Sequence, residues 1–353
     1  MLNFRLVLIL IPALLLGSVL TGKTAQAADP VRQLNLFIWS EYMDPEVISG
    51  FEKRFNVKVR LDYYESNEEM IAKLQSGLQG TYDLIVPSTY YIPALTNLNL
   101  IQPLNHELLP NLGNLMPQYT QLDVDPGNKF TVPYQWGTSG LVTRTESPLQ
   151  PTWKHLFDPK SNLGNFLIFD TARDALGSAL KSMGYSANTT DLQQIKAAGQ
   201  LLIETKKKPT FMGFDSGVGG LAKVVGQVAV LAQVYSGEAI RASKEEENIS
   251  YLIPEEGCEQ WMDVLVIPKG APHLDLAHQF LNYTLEPEVA AKLASFNNYA
   301  TPNEKALAFI SDEDKNNPGM YPPEELKSKM EYFRDLGSDG RLYEETWTLV
   351  KSR

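Results

Sequence analysis

The sequence predicts an α/β fold. Two patterns carry this reading: apolar strand segments alternate with helices of 3.6-residue periodicity through the N-terminal third, and the same alternation starts again after residue 137. A third observation organises the halves. No long linker, internal repeat or low-complexity tract separates them, so two α/β lobes sharing a cleft are expected rather than beads on a string. The length of 353 residues allows two domains of about 100–200 residues each.

In chain order, Leu34 to Ile38 reads as the first strand. Asp44-Pro45 supplies an N-cap and an N1 proline to a helix with Val47, Ile48, Phe51 and Phe55 on one face. Val57 to Tyr63 is a second strand, and Ser66 with Glu69 forms a capping box for a helix striped by Met70, Ile71, Leu74 and Leu78. Tyr82 to Val86 is a buried-looking third strand, followed by a helix from about Tyr91 to Leu98. Such alternation makes a parallel sheet covered on both faces, with ligands at the carboxyl ends of its strands. Past Thr131 to Gly137, a strand at Leu167 to Phe169 leads into a helix around Arg173 to Met183. Thr190 and Gln193 read as a capping box opening a helix to about Ile203. Thr210 to Phe214 is a strand, and a helical or mixed segment runs on to about Ala232. Met262 to Ile267 is a strand, and Leu274 to Tyr283 and Pro287 to Ser295 are helices.

Residues 1–27 read as a secretory signal peptide. Arg5 is the basic n-region, Leu6 to Leu16 is apolar apart from Pro12, and Ala25-Gln26-Ala27 predicts cleavage to a mature start at Ala28. A membrane anchor is the competing reading, but the apolar core falls short of the ~20 residues a spanning helix needs. No cysteine near the cleavage site invites a lipid anchor, and no later segment is apolar enough to span a bilayer. A soluble, exported product is expected.

Composition excludes several function classes. The 43% apolar and 21% charged content is ordinary for a globular chain. The net charge of −11 argues against nucleic-acid or anionic-membrane partners and suits cationic ligands. Cys258 is the sole cysteine, so no internal disulfide or cysteine-rich zinc site can form. His106, His155, His273 and His278 have no H-E-x-x-H spacing, which leaves no metal site to expect. Gly217-Val218-Gly219-Gly220-Leu221-Ala222 fits G-x-G-x-x-A formally, yet no complete βαβ unit with a ribose-binding acid follows, so it reads as a turn into a helix. There is no P-loop and no G-x-S-x-G elbow, hence no cofactor and no catalytic residue to assign.

What stands out is acid beside aromatic at successive strand ends. Trp39-Ser40-Glu41-Tyr42 follows the first strand and Ser88-Thr89-Tyr90-Tyr91 the third. Asp170-Thr171-Ala172-Arg173-Asp174 follows the strand that opens the second half, and Trp261-Met262-Asp263 begins another. Each has a bland reading: packing for the tryptophans, N-caps for the acids, a helix's buried face for Tyr90 and Tyr91. Glu245-Glu246-Glu247 is a solvated charge run. The recurrence favours function. Flat rings covering methylenes contribute ~0.5–2 kcal/mol of cation–π energy each, and carboxylates pair with ammonium groups, so an extended organic cation fits.

These residues resemble a family, the periplasmic polyamine-binding proteins of spermidine/putrescine ABC transporters. The likeness runs from Leu34 to about Arg353, through Phe37 to Tyr42, Tyr64 to Met70, Tyr82 to Tyr91, Val132 to Gly137, Gly184 to Asp191, Trp261 to Asp263 and Tyr299 to Asn303. It implies a two-lobed periplasmic binding protein fold, type II-like, with the ligand cleft between the lobes. Lobe 1 would comprise 31–137 plus 260–305, and lobe 2 would comprise 138–259 plus 306–353. The resemblance implies that Trp39, Tyr42, Tyr90, Trp261 and Tyr299 box the aliphatic chain, with Tyr235 where relatives usually have Trp. Glu41, Asp174 and Asp263 would take the ammonium groups, with Ser40 and Ser88 adding hydrogen bonds. Two departures concern an additional amine. Thr171 stands where relatives often have Asp, beside Asp174 in place of Glu, and apolar Phe333 aligns with a polar Gln of some relatives. The implied function is a periplasmic, monomeric carrier that passes putrescine or spermidine to a membrane permease and ATPase. Alternatives are a carrier for another organic cation or for an iron complex held by tyrosine pairs, a sensor presenting its closed form to a receptor, and an exported α/β enzyme.

Overall fold

A computed structural model describes residues 32–144 and 149–353. The expected leader, its cleavage site and the first residue assigned to lobe 1 lie outside the described residues. The strands are β1 (Arg32–Trp39), β2 (Val57–Tyr64), β3 (Leu84–Ile85), β4 (Gln121–Leu122), β5 (Asp125–Pro126), β6 (Thr131–Arg144), β7 (Phe166–Phe169), β8 (Phe211–Asp215), β9 (Leu231–Tyr235), β10 (Ile249–Leu252), β11 (Glu259–Val266) and β12 (Glu331–Tyr332). Apart from the β4–β5 pair they form one sheet, ordered β2-β1-β3-β11-β6-β9-β7-β8, with β10 beside β6 and β12 beside β11. The fold is α/β, as the sequence predicts.

The sheet is parallel at both ends, where β1 pairs with β2 and β3 and where β7 pairs with β8 and β9. Its centre is antiparallel. β11 runs against both β3 and β6, and β6 runs against β9 and β10. An all-parallel sheet is therefore corrected to a mixed one, joined through a single strand. The first half of β6 pairs with β11 from Thr131 to Thr138, and the second half pairs with β9 from Ser139 to Thr143. Pro133 is tolerated because the pairing register slips between Asp263 and Val264 opposite it, a bulge that spares the missing N–H.

Four apolar cores cover this sheet. Leu34, Leu36 and Ile38 of β1 pack with Phe51 and Phe280 on one face, while Phe37 packs with Tyr64, Ile85 and Val264 on the other. The period-2 alternation of one strand thus serves both faces. Leu141 of β6 joins Trp153, Ile168, Leu176 and Tyr343, and Val142 joins Leu167, Val224 and Val234. Burial of each such side chain is worth about 1.5–3 kcal/mol.

Local signals act largely as expected. The Asp44 side chain accepts from the Glu46 N–H, and helix Pro45–Phe55 follows. Ser66 Oγ accepts from the Glu69 N–H at 3.1 Å, although Glu69 reaches back to the Glu65 N–H rather than to that of Ser66. The cap of helix Leu192–Lys206 is Asp191, not Thr190, because its carboxylate reaches the Gln193 N–H at 2.7 Å. The segment after Phe214 is a helix, Gly217–Val225, followed by strand β9. The glycine-rich run opens that helix, with Ser216 capping the Gly219 N–H, so its turn reading stands.

At the start of β11, Glu259 is fully buried, and both of its carboxyl oxygens lack a hydrogen-bond partner among the described residues. Burial first, and then the nearby Asp174 charge, raise its pKa well above the usual carboxylate range. The unfolded chain ionises near the ordinary glutamate value while the folded chain stays protonated, so this group withdraws stability as pH rises. Glu259→Met, of similar volume, should stabilise the protein by about 1–3 kcal/mol at pH 8, with the gain shrinking below pH 4.5. Urea titrations from pH 4 to 8 check this; a variant less stable at pH 8 would refute it.

Candidate functional site

The strand ends converge as the sequence suggests. β1 delivers Trp39, whose indole Nε1 donates to the Val86 carbonyl at 2.8 Å while its ring leans on Tyr64 with centroids 4.6 Å apart. Past β3 the chain reaches Ser88, which forms an isolated β-bridge with Asp263 of β11. The Ser88 hydroxyl donates to Asp263 Oδ1 at 2.7 Å, and Asn67 fixes Ser88 by accepting from its backbone N–H at 3.1 Å. Asp263 is thus held on a central strand by a neighbour that is itself held.

The second acid comes from the other half of the sheet. Asp174 lies in the first turn of helix Ala172–Ser182, directly after β7. Ser139 of β6 donates to its Oδ1 at 2.9 Å, Thr171 to Oδ2 at 2.6 Å, and the Tyr235 hydroxyl to Oδ2 at 3.4 Å. Thr171, which lacks a carboxylate, therefore serves to orient one.

Between the two acids runs a continuous aromatic wall. Tyr42 meets Tyr299 edge-on at 5.9 Å, Tyr299 meets Trp261 at 4.7 Å, Trp261 meets Tyr235 at 5.8 Å, and Tyr235 lies against Phe169 at 4.5 Å. Edge-to-face contacts at these separations are favourable for the ring quadrupoles. Two glycines make the wall possible. A Cβ on Gly137 would come within 2.6 Å of Trp261 Cζ2 and 3.0 Å of Tyr299 Cδ1, and one on Gly237 within 2.5 Å of Tyr299 Cε1. Tyr90, two residues past Ser88, packs against Tyr91 at 4.8 Å and edge-on against Phe333 at 5.6 Å, and burial, then the Asp174 charge, raises the pKa of its phenol.

Three carboxyls here are perturbed by burial. Burial pushes the Asp263 pKa up to about 7, against the opposing bond from Ser88. That of Asp174 is raised by burial despite its hydroxyl donors and the Arg173 charge. The third is Glu238, in the first turn of helix Ser236–Glu245, pushed up to about 7 by burial with Arg241 opposing. Its Oε2 has no hydrogen-bond partner, and its charge raises the pKa of both Tyr235 and Tyr299. None of the three forms an ion pair among the described residues, whose salt bridges lie elsewhere. The buried donors Tyr42 Oη and Trp261 Nε1 also close no hydrogen bond.

Two expected residues stand apart from this cluster. Ser40 is exposed and its hydroxyl is spent on Glu65 Oε1 at 2.6 Å. Glu41 is exposed, and its left-handed backbone (φ 55°) accompanies an ion pair with Arg241 at 3.7 Å rather than a place among the buried acids. Glu238 is not among the residues the sequence singles out; its signal is an acid in the first helical turn after a strand that ends in Tyr235. The Arg173 guanidinium lies 4.6 Å over the Phe333 ring and 5.8 Å over that of Tyr90.

Comparison with known proteins agrees with this architecture. Residues 46–322 match the family model described as bacterial extracellular solute-binding protein. The spermidine/putrescine-binding periplasmic protein of Escherichia coli is 34% identical, over 95% of this chain and 96% of its own length. A putrescine-binding periplasmic protein of Pseudomonas aeruginosa is 32% identical, over 96% of this chain and 97% of its own. Among solved structures, a putative spermidine/putrescine ABC transporter from Listeria monocytogenes superposes with a TM-score of 0.83 at 35% identity, covering 91% of this chain and 99% of that one. Sequence, sheet order and converging strand ends agree: the chain belongs to the bacterial extracellular solute-binding proteins.

Proposed function

We propose that this protein is the polyamine-capturing component of an ABC importer, holding putrescine or spermidine in the aromatic chamber and delivering it to a membrane permease and ATPase. One observation carries the reading: buried acids on separate elements, Asp263 and Asp174, lie beside an aromatic wall, and among the described residues neither forms an ion pair with a cation. Ammonium groups would replace the protons that the acids otherwise hold, and the rings would cover the methylenes between them. Glu238 adds a third acid beside Tyr235 and Tyr299. The unused donors at Tyr42 and Trp261 leave capacity for polar contacts or ordered water. The carrier makes and breaks no bond.

Closure would be the working motion. With lobe 1 as 31–137 plus 260–305 and lobe 2 as 138–259 plus 306–353, β6 crosses between them at Gly137-Thr138. Asp263 then belongs to one lobe and Asp174 to the other. A guest that contacts both acids only in the closed form shifts the population toward it. Export to the periplasm, as a monomer, completes the proposal.

Calorimetric titration with putrescine, cadaverine, spermidine and a panel of neutral amino acids tests the ligand class, and silence toward every amine would end the reading. Asp263→Asn should weaken amine binding by about 2–5 kcal/mol, well over tenfold, with the thermal transition retained. The pH dependence has a definite sign. Asp263 and Glu238 titrate near 7 without ligand and must ionise to pair with ammonium, so affinity should rise from pH 5.5 to about 7 and level off above it. Binding at pH 6 should release protons, read from enthalpies in buffers of different ionisation heat; a flat profile would contradict it. Gly137→Ala should displace Trp261 and Tyr299, costing about 1–3 kcal/mol of stability and most of the affinity.

A further inference from the structure

Glu259 is fully buried, and neither of its carboxyl oxygens accepts a hydrogen bond among the described residues. An acid left in this state costs stability, so its presence calls for a physical reason. Its place in the sheet supplies one. Side chains alternate along β11, so Glu259, Trp261 and Asp263 share one face, and the register slips only after Asp263. Trp261 pairs with Gly137 of β6, and Ser139, two residues on, pairs with Tyr235 of β9. The face that carries Glu259 is therefore the face of the aromatic wall and of Ser139, the donor to Asp174.

Helix Ala172–Ser182 covers this part of the face. Asp174, Gly177, Ser178 and Lys181 recur on it at helical spacing, and all four are buried. A Cβ on Gly177 would come within 2.5 Å of Glu259 Oε1, so the carboxyl lies against the helix one turn from Asp174. Lys181, a turn further on, forms no ion pair with Glu259, because its Nζ donates to Glu331 Oε1 and to the Lys329 carbonyl, both at 2.8 Å. The remaining titratable groups that feel Glu259 are Cys258 and Tyr251, whose pKa values are raised first by burial.

Asp174 by itself has too few acceptors for an ammonium group in so dry a place. A carboxylate offers about four acceptor positions, and a primary ammonium brings three donors. Ser139, Thr171 and Tyr235 already donate to Asp174, which leaves it about one position. The unpartnered oxygens of Glu259 make up the difference. Resting on the polyamine reading above, we propose that Glu259 is a ligand-binding residue, the second carboxyl of a primary-ammonium subsite whose first carboxyl is Asp174. The terminal ammonium of the guest lies between the two acids. The proton that Glu259 holds in the free protein leaves as the guest enters. Glu259 thus weakens the free protein and strengthens the complex.

Calorimetry with putrescine tests this on the wild type, Glu259→Gln, Glu259→Met, Asp174→Asn and Asp263→Asn, and on Glu259→Gln combined with each aspartate variant. Glu259→Gln should weaken binding about tenfold or more. Combined with Asp174→Asn it should bind within about threefold of the weaker single variant, because both changes strip the same ammonium; combined with Asp263→Asn the two losses should multiply. Enthalpies at pH 7 in buffers of different ionisation heat should show the Gln variant releasing about one proton fewer than the wild type, a count that a merely structural residue would not alter. Should Glu259→Gln fail to fold, Glu259→Met, expected to gain stability, carries the same comparisons. Neutral variants that bind putrescine within twofold of the wild type, or losses that multiply with Asp174→Asn, overturn the inference and leave the polyamine reading intact. A wild type that binds no polyamine overturns both.

Discussion

Everything at the proposed site follows from the cost of burying an acid without a counter-charge. Asp263 and Asp174 are buried and Glu238 is half-buried, and desolvation is the largest influence on each. The protein supplies hydroxyl donors to the first two, from Ser88, Ser139 and Thr171, but among the described residues no ion pair. Hydroxyls lower the penalty without cancelling it, because a neutral donor stabilises a carboxylate far less than an adjacent ammonium does. Such acids are stable when protonated and ready to be ionised by a cationic guest. The same burial that raises their pKa values also preserves the strength of any later ion pair, since water cannot screen it.

Much of the fold was legible, because periodicity and capping report local physics. Strands that alternate, such as β1, and helices with an acidic cap, such as Pro45–Phe55, declare themselves within a window of a dozen residues. β6 and β9 do not. β6 carries Pro133, Gly137 and Gly140 and is buried on both faces for nearly its whole length, so it shows neither alternation nor the usual β-branched run. Its identity is set by a bulge in β11 and by the rings that occupy the space beside its glycines, both of them long-range facts. β9, only Leu231 to Tyr235, is likewise buried along four of its five residues and follows a helix without a clear break.

The missed strand explains the missed acid. Once β9 is merged with the preceding helix, Tyr235 is no longer a strand end, and Glu238 is one more glutamate on a polar helix. Asp174, by contrast, follows a recognisable strand and was found. Glu41 shows the opposite failure: its position after β1 is right, but the backbone enters the left-handed region there and the side chain meets Arg241 in solvent. Placement along the chain could be read from sequence. Direction could not, because a single φ decides it.

The distribution of charge and rigidity across the sheet has a further consequence. The aromatic wall is built from Tyr42, Tyr235, Trp261 and Tyr299, of which Tyr235 ends β9 and Trp261 lies on β11, packed so closely that Gly137 and Gly237 admit no Cβ. The acids are delivered from opposite halves, one on β11 and one on the helix after β7. In the proposed closure, bringing both halves together without a guest would gather carboxyls around one space, and protonation would relieve that. A guest with spaced positive charges would relieve it better. Shape alone would admit many slender molecules. In the proposed carrier, the rings set the thickness of the guest and the acids its sign.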